Sequence, residues 1–274
     1  MQQNYLTLEI ANISSSDIDA VALGWDLPRH SARTDFELLD PPLPGRLWDF
    51  DCAEEFLADA LGWKMALGRM PDLVFVPHHR AHAASAFHAS GFDDAAVLVV
   101  DGEGDDESIS IFEAHRGAPL VRRAHWPRSA SLGLMYEAVT EAIGLSTLEA
   151  GKTMGLAAYG VAAEMAPWPM LEFDGDRFTK PFAASNVAGY DDIKNGWRRH
   201  IERLGYVGQK VGSQRLHEDR DAVRLAHSAQ LSVQQVMKHL VSGDAVSLRQ
   251  LDASWCWLGG WMSRRVNAVN CGRW

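Results

Sequence analysis

The chain is poor in cysteine and has no long apolar run. Its three cysteines, Cys52, Cys256 and Cys271, are odd in number and widely spaced along 274 residues, which argues against a disulfide scaffold and for a reducing compartment. The apolar runs are far shorter than the about 20 residues that a membrane-spanning helix needs. The first residues also lack the basic and apolar regions of a signal peptide. We therefore expect a cytoplasmic protein that does not enter a membrane.

Basic residues are also scarce. Lysine and arginine number 26 against 36 aspartates and glutamates, and the formal net charge is −10. A protein that binds nucleic acid usually presents a basic face, so this charge argues against that class of partner. The charge suits a cationic small molecule, or it serves solubility alone.

The apolar pattern predicts a layered α/β or α+β domain with a mixed sheet and flanking helices. Residues 161–215 are irregular in pattern and are interpreted as an insertion, and the tail 251–274 has neither strand nor helix periodicity. Residues 17–25 are predicted to form a short turn and then a strand. Further strands are predicted over 73–76, 95–100, 108–113 and 120–125, with a turn over 102–106. The predicted helices cover 51–69, 132–143 and 220–241, besides one that begins near His78.

Two histidines four residues apart and an aspartate behind a strand form a candidate metal site. On a helix, His78 and His82 lie on one face, one turn apart. The apolar run 95–100 predicts a buried strand that ends at Asp101. Two imidazoles and a carboxylate are a metal-ligand set. The alternative is a chance pair of surface or core histidines. His79 has no partner at ligand spacing and is interpreted as structural or as a support for the ligands.

A second segment combines glycines with one lysine, Lys152. It reads Gly-Lys-Thr, but serine replaces the first glycine of the phosphate-loop pattern and no strand precedes it. We therefore reject a phosphate loop. A lysine beside glycines still suits a phosphate, because the ammonium supplies charge and the glycines permit close backbone approach. The alternative is a tight turn that packs helices.

Taken together, four segments resemble the carbamoyltransferase family, which includes nodulation-factor and antibiotic O-carbamoyltransferases. The similarity covers residues 15–160 and, loosely, the helix 220–241. The first two segments resemble most the branch that acts on the aminoglycoside tobramycin. The segments are Gly24-Trp25-Asp26-Leu27-Pro28, His78-x-x-x-His82-Ala-Ala-Ser-Ala, Val99-Val100-Asp101-Gly102-x-Gly104 and Gly151-Lys152-x-Met154-Gly155-Leu156-Ala157-Ala158-Tyr159-Gly160.

The resemblance implies an incomplete actin-like, sugar-kinase-type ATPase domain over residues 1–250. In such enzymes carbamoyl-adenylate is made from ATP and carbamoyl phosphate, and its carbamoyl group passes to a sugar or aminoglycoside hydroxyl. The resemblance also implies Fe(II) or a similar divalent metal near the nucleotide phosphate. Two histidines and an aspartate of the family's metal site match His78, His82 and Asp101.

The sequence departs from the family at both ends. The family's N-terminal His-Asp-x-Ser-Ala motif, which carries the catalytic base, has no match, so the catalytic residue is left unassigned. The family's second aspartate ligand and its C-terminal domain are expected beyond Trp274. The tail 251–274 keeps only a Gly-Gly pair of the family's pattern, which suggests a shift of reading frame between about 241 and 260.

The expected chemistry assigns nucleotide contacts to the residues after Asp101. A hydroxyl attacks an activated carbamoyl carbon while AMP leaves. Backbone amides of Gly102, Glu103 and Gly104 are expected to face phosphate oxygens, with Lys152 as a further point charge. The alternative for Glu103 is a solvated turn residue.

Three further residues are predicted to bind the carbamoyl acceptor. Carboxylates of Asp26 and Asp106 would orient an aminoglycoside through charge-assisted hydrogen bonds, and Tyr136 would lay its ring on a sugar face. Solvated turn residues and ordinary helix packing are the respective alternatives. Two other functions remain open at this point: a metalloenzyme of the threonylcarbamoyl type that modifies tRNA, and a catalytically inactive fragment.

Overall fold

The computed structural model of the chain describes residues 14, 17–26, 71–174, 177–184, 189–208, 212–241, 254–259 and 270–272. For residues 173, 174, 177 and 213 and for the last two segments only the backbone is described. The chain divides into two units, Met1–Ala81 and His82–Trp274, and each is treated by itself. The helix predicted over 51–69 lies outside the described residues.

The described elements are helices and strands in a mixed, α+β arrangement. The strands are β1 Ala20–Leu23, β2 Asp72–Phe75, β3 Asp94–Gly104, β4 Glu107–His115, β5 Val121–Pro127, β6 Glu172–Asp174, β7 Arg177–Thr179, β8 Ser254–Gly259 and β9 Asn270–Gly272. The helices are α1 His78–Ser90, α2 Leu132–Ala142, α3 Ala150–Ala162, α4 Tyr190–Arg203 and α5 Arg220–Val241.

In the first unit, β1 and β2 pair in parallel, with Ala20 opposite Asp72 and Leu23 opposite Phe75. The amide of Val76 donates to the carbonyl of Leu23 at 2.8 Å and continues the pairing past the end of β2. Both strands confirm the predictions made from the apolar runs, with somewhat shorter bounds for β1.

The second unit contains a five-stranded sheet in the order β5-β4-β3-β8-β9. Strands β3, β4 and β5 form an antiparallel meander, whereas β8 pairs in parallel with the other edge of β3. The strand β3 is longer than predicted, because pairing of Gly104 with Glu107 carries it past Asp101. A two-residue turn follows, in which Asp105 has a positive φ of 55°.

Helices cover both faces of this sheet. Along β3, alternate residues point to opposite faces, so the strand contributes to two separate hydrophobic clusters. The cluster on the side of α1 contains Ala83, Ala86, Phe87, Ala95, Val97, Val99, Phe112 and Ala114. The cluster on the side of α2 and α5 contains Ala96, Leu98, Ile109, Ile111, Leu132, Val236 and Leu240.

The helices α2, α3, α4 and α5 share a third and larger cluster. Helix α5 has the bounds 220–241 that its 3.6-residue pattern predicts, and α2 ends one residue before the predicted limit, with Gly144 at a φ of 82°. The prediction of an irregular segment over 161–215 is wrong for α4. That helix buries Ile193, Trp197 and Ile201, which recur every four residues on one face.

The tail was predicted to have no regular structure, and this is also wrong for part of it. Residues 254–259 form β8, with Ser254 opposite Ala95 and Gly259 opposite Val100. The apolar Trp-Cys-Trp-Leu run is compatible with this position in the sheet. Strands that pair in parallel inside a sheet are often continuous apolar runs, without the alternation that was expected of a strand. Among the described residues, no helix combines the length and apolar character that crossing a bilayer requires.

Candidate metal centre

Helix α1 carries the two histidines of the candidate site. Its alanine-rich sequence favours a helix, and the carbonyl of Pro77 accepts the first helical hydrogen bond from Ala81, at 3.0 Å. Gly91, at a φ of 77°, ends the helix in the left-handed conformation that glycine adopts without strain. His78 and His82 are thus placed one turn apart on a continuous helix, as the spacing predicts.

The ligand atoms of His78, His82 and Asp101 all lie within 4.8 Å of one another. Two ligand atoms bound at about 2.1 Å to one ion lie at most about 4.2 Å apart, so small side-chain rotations would bring all three onto a single ion. Two imidazoles and one carboxylate are the donor set of the non-haem iron facial triad, and they also suit other divalent metals. The residues present therefore fit the metal that the resemblance implies.

His78 is oriented by a backbone carbonyl. Its Nδ1–H donates to the carbonyl oxygen of Gly24 at 2.8 Å. Because a carbonyl only accepts, the neutral ring then carries its lone pair on Nε2, and this is the usual arrangement of a metal-binding histidine. The Trp25 ring packs on His78 with centroids 4.3 Å apart. The Gly-Trp pair was noted in the sequence only as part of a resemblance, so its role beside His78 was missed.

Gly24 also permits the close approach of its segment to α1. A Cβ atom added at Gly24 would lie 3.2 Å from the Cβ of Ala81. A side chain at position 24 would therefore push the carbonyl away from His78. The site therefore depends on the small residues Gly24 and Ala81 as well as on the spacing of the two histidines.

Asp101 is held on the sheet side of the centre. Its Oδ1 accepts the amide of Gly102 at 2.7 Å, and its Oδ2 lies 3.3 Å from Nε2 of His82. The carboxylate is 7% exposed, so water competes little for it. Asp101 and His82 are therefore placed beside each other by β3 and α1.

The glycines after Asp101 are arranged differently from the prediction. Gly102 and Gly104 belong to β3 and not to a turn. The Gly102 amide already donates to Asp101, and its carbonyl accepts from the Ser131 hydroxyl. The predicted open cradle of amides for phosphate is thus not present at Gly102.

Glu103, predicted to contact the nucleotide, forms an ion pair inside the protein. Its Oε2 lies 3.0 Å from Nε of Arg128, and Arg128 is only 5% exposed. The same guanidinium donates to the carbonyl of Asp105 at 2.8 Å, and the Arg128 amide donates to that of Asp106 at 3.0 Å. Glu103 and Arg128 therefore hold the turn that follows β3, so the alternative of a solvated turn residue is wrong for Glu103. The predicted contact of its backbone amide with the nucleotide stays a prediction. Sequence reasoning did not single out Arg128, which offers no motif.

Lys152 lies on α3, so the alternative of a tight turn is wrong for its segment. The ammonium is exposed and pairs with Glu149. Glu149 closes a capping box with Ser146, and its pKa is lowered by the hydrogen bonds from Lys152 and the Ser146 amide. No described contact joins Lys152 to the residues after Asp101.

The glycines of α3 serve helix packing at one position. A Cβ atom added at Gly160 would lie 2.5 Å from the Cβ of His227 on α5. The segment around Lys152 therefore packs against another helix, as the alternative predicted, but it does so as a helix and not as a turn.

The three residues predicted for the acceptor lie in different settings. Asp26 is half-buried in the first unit, next to β1, and Asp106 is exposed in the β3–β4 turn of the second unit. Tyr136 is 6% exposed within the hydrophobic cluster of the helices, and its hydroxyl donates to Oε1 of Gln230 at 3.0 Å. An enclosed ring cannot stack on a sugar, so for Tyr136 helix packing is the observed role.

A buried polar network on α2 and α4 was also missed. The Tyr190 hydroxyl donates to Glu137, and the Lys194 ammonium lies 3.5 Å from Glu137 and 2.6 Å from Glu141. Burial raises the pKa of Glu137, although its contacts with Tyr190 and Lys194 oppose the shift. Glu137 and Glu141 are four residues apart on α2, and Tyr190 and Lys194 are four residues apart on α4. This spacing was the signal in the sequence that could have predicted the network.

The sequence is similar to known proteins over the region that holds the centre. The family model of the carbamoyltransferase N-terminus matches residues 43–225, well over half of the 274 residues. The chain belongs to the carbamoyltransferase family. The matched stretch includes His78, His82 and Asp101.

Three relatives illustrate the similarity. Nodulation protein NolNO of Sinorhizobium fredii is 33% identical over 158 residues, which cover 56% of this chain and 22% of that protein. Nodulation protein NolO of Bradyrhizobium diazoefficiens is 33% identical over 129 residues, covering 47% and 20%. The uncharacterized protein sll1178 of Synechocystis is 44% identical over 94 residues, covering 33% and 15%. The matched part of the chain spans about a fifth or less of the length of these relatives.

Proposed function

We propose that this carbamoyltransferase family member takes part in ATP-dependent O-carbamoyl transfer. The carbamoyl group would pass from carbamoyl-adenylate to the hydroxyl of a sugar, with an aminoglycoside such as tobramycin as the preferred acceptor. The observation that carries the proposal is the meeting of His78, His82 and Asp101 within the stretch that matches the family. The described α+β unit would then be part of an actin-like domain.

The three ligands would hold Fe(II) or a similar divalent ion. Bound there, the ion would supply positive charge that stabilises the negative charge developing on the departing phosphate. Gly24 keeps the Nε2 lone pair of His78 available by accepting from Nδ1–H. The Gly102 amide keeps the Asp101 carboxylate in place.

Other residues of the chain would place the reactants. The Glu103–Arg128 pair fixes the turn that carries Asp106, an exposed carboxylate near the end of β3. An aminoglycoside carries several ammonium groups, and such groups bind carboxylates through charge-assisted hydrogen bonds. Asp106 is the carboxylate of the second unit that we assign to acceptor binding, and the assignment of Asp26 in the first unit is a separate proposal. Tyr136 is left out because its ring is enclosed.

Metal content tests the centre directly. Protein prepared without oxygen and dialysed against Fe(II) should retain about one ion per chain, weakly, since three protein ligands leave positions open. His82→Ala should abolish retention, whereas His88→Ala, which removes an exposed imidazole from the same helix, should not. Equal metal content in the two variants would remove His82 from the centre.

Carbamoyl transfer is tested separately. The chain is incubated with synthetic carbamoyl-adenylate and tobramycin, and the product is followed by mass spectrometry. We expect a carbamoylated aminoglycoside that depends on added Fe(II) and is lost with His82→Ala. If metal binds but no acceptor gains a carbamoyl group, the centre stands and the proposed reaction of this chain is wrong.

A further inference from the structure

A cleft of about 690 Å³ lies in the second unit, between the end of β5, the β6–β7 hairpin and α4. Its volume falls in the range of about 300–1,000 Å³ that small-molecule sites occupy. It contains none of the residues considered so far for metal, nucleotide or acceptor binding. The lining residues are Pro127, Ser129, Ala130, Leu171, Phe178, Thr179, Lys180, Phe182, Ala183, Ala184 and Trp197.

The walls of the cleft are aromatic and fixed. Phe182 and Trp197 meet edge to face, with centroids 5.0 Å apart and an interplanar angle of 89°. Gly196 allows this contact, because a Cβ atom there would lie 2.3 Å from the Phe182 ring. Phe178 stacks on Trp126 with centroids 6.4 Å apart. Rings that are already held in place suit a flat apolar body, since little side-chain entropy is lost on binding.

Lys180 is the one charged residue in the described lining. Its ammonium lies 5.9 Å from the centroid of the Phe182 ring. Burial lowers the pKa of Lys180, and among the described residues no carboxylate pairs with it. A partly desolvated ammonium without a counter-ion favours an anion in the cleft.

We propose that this cleft binds a small aryl anion, either a phosphate monoester or an ionised carboxylic acid, that carries a flat apolar ring. The ring would lie against Phe178 and Phe182, and an anionic oxygen would accept from Lys180 Nζ. This site is separate from the metal centre, and it does not depend on the carbamoyl-transfer proposal.

Calorimetric titration of the full chain with four matched probes tests the charge preference. The probes are 1-naphthyl phosphate, 1-naphthoate, neutral 1-naphthol and cationic 1-naphthylmethylamine. We expect at least one anion to bind with a stoichiometry of one, more tightly than the neutral probe by about tenfold. The cation should not bind. The ratio between the two anions then identifies phosphate or carboxylate as the preferred group.

One substitution locates the binding. Lys180→Met, which keeps the length of the side chain, should weaken anion binding about tenfold and leave 1-naphthol unaffected. Lys238→Met, which changes a lysine outside the cleft, should not weaken it. A thermal unfolding curve accompanies each variant, and Lys180→Met should remain folded because Lys180 is only half-buried.

The proposal is overturned if neither anion binds at about millimolar concentration, the weak end of specific affinity. It is also overturned if anionic and neutral probes bind equally well, or if Lys180→Met and Lys238→Met give the same affinity.

Discussion

Gly133 on α2 lies directly against Gly102 on β3. A Cβ atom added at Gly133 would be 2.5 Å from the Cα of Gly102 and 2.9 Å from its nitrogen. That nitrogen is the donor to Oδ1 of Asp101. The packing of α2 on the sheet is therefore coupled to the position of a candidate metal ligand.

Gly133→Ala is expected to destabilise the protein and to weaken metal binding. Because neither backbone can yield without moving an element, overpacking should cost about 1–3 kcal/mol in the free energy of unfolding. Gly155→Ala is the matched control: a Cβ atom there meets nothing within 4 Å on α3. It should stabilise by up to about 1 kcal/mol, as alanine favours helix over glycine.

Urea unfolding of both variants, together with Fe(II) retention, measures these effects. Full retention of metal in Gly133→Ala at lowered stability would show that the contact supports the fold and not the ligand.

The Glu103–Arg128 pair predicts a large effect of removing one partner. Arg128→Met would remove the guanidinium that lies 3.0 Å from Glu103 Oε2, and removal of one partner of a buried ion pair typically costs about 3–5 kcal/mol. Arg116→Met, which removes an exposed partner of Asp93, should change stability by less than about 1 kcal/mol. Denaturant midpoints compare the two. Similar losses for both would mean that Arg128 contributes no more than a surface pair.

The sequence predicted the elements whose patterns are local. The apolar positions of α5, which recur with a 3.6-residue period, and the apolar runs of β2 and β3 are visible without knowing the fold. The histidine spacing and the strand before Asp101 were likewise sufficient to propose three ligands. Each of these inferences uses residues that are neighbours in the chain.

What the sequence could not supply depends on distant partners. Glycines after Asp101 suggested a turn, but pairing with β4 extends the strand through Gly104. The glycines around Lys152 left a tight turn open as the alternative, but packing of Gly160 on His227 accompanies a helix that contains several glycines. The support of His78 by Gly24 joins residues 54 positions apart. Tertiary contacts override local propensity in each case.

Glu137 predicts a dependence of stability on pH. Desolvation raises its pKa in the folded protein above the ordinary 4.5, against the opposing contacts of Tyr190 and Lys194. Between the ordinary pKa of the unfolded chain and the raised pKa of the folded protein, the folded state binds more protons than the unfolded state. This group therefore makes stability fall as pH rises from 4.5. Glu141 acts in the opposite sense: despite its desolvation, hydrogen bonds from Lys194 and Arg198 lower its pKa, so its contribution is lost as pH falls below 4.5.

Glu137→Gln should therefore flatten the decline of stability above pH 4.5, since the amide does not titrate and still accepts from Tyr190. Glu202→Gln, an exposed change on α4, should leave the pH profile as in the wild type. Chemical unfolding at a series of pH values gives both slopes. A profile of Glu137→Gln that matches the wild type would assign the pH dependence to other groups.

Asp106 offers the most direct test of acceptor binding. It is exposed in the turn that Arg128 holds, and its carboxylate would attract the ammonium groups of an aminoglycoside. At about 0.1 M salt, Asp106→Asn should weaken tobramycin binding by about threefold to tenfold, because the ammonium donor loses an anionic acceptor and keeps only an amide oxygen. Asp93→Asn, in the loop at the opposite end of β3, is the control for general acidity and should change affinity little, since exposed charges are screened beyond about 10 Å at 0.1 M salt. Titration calorimetry of the three proteins decides between specific and diffuse attraction. If both variants lose affinity equally, the protein attracts the cation only through its net charge of −10, and Asp106 has no special place in the acceptor site.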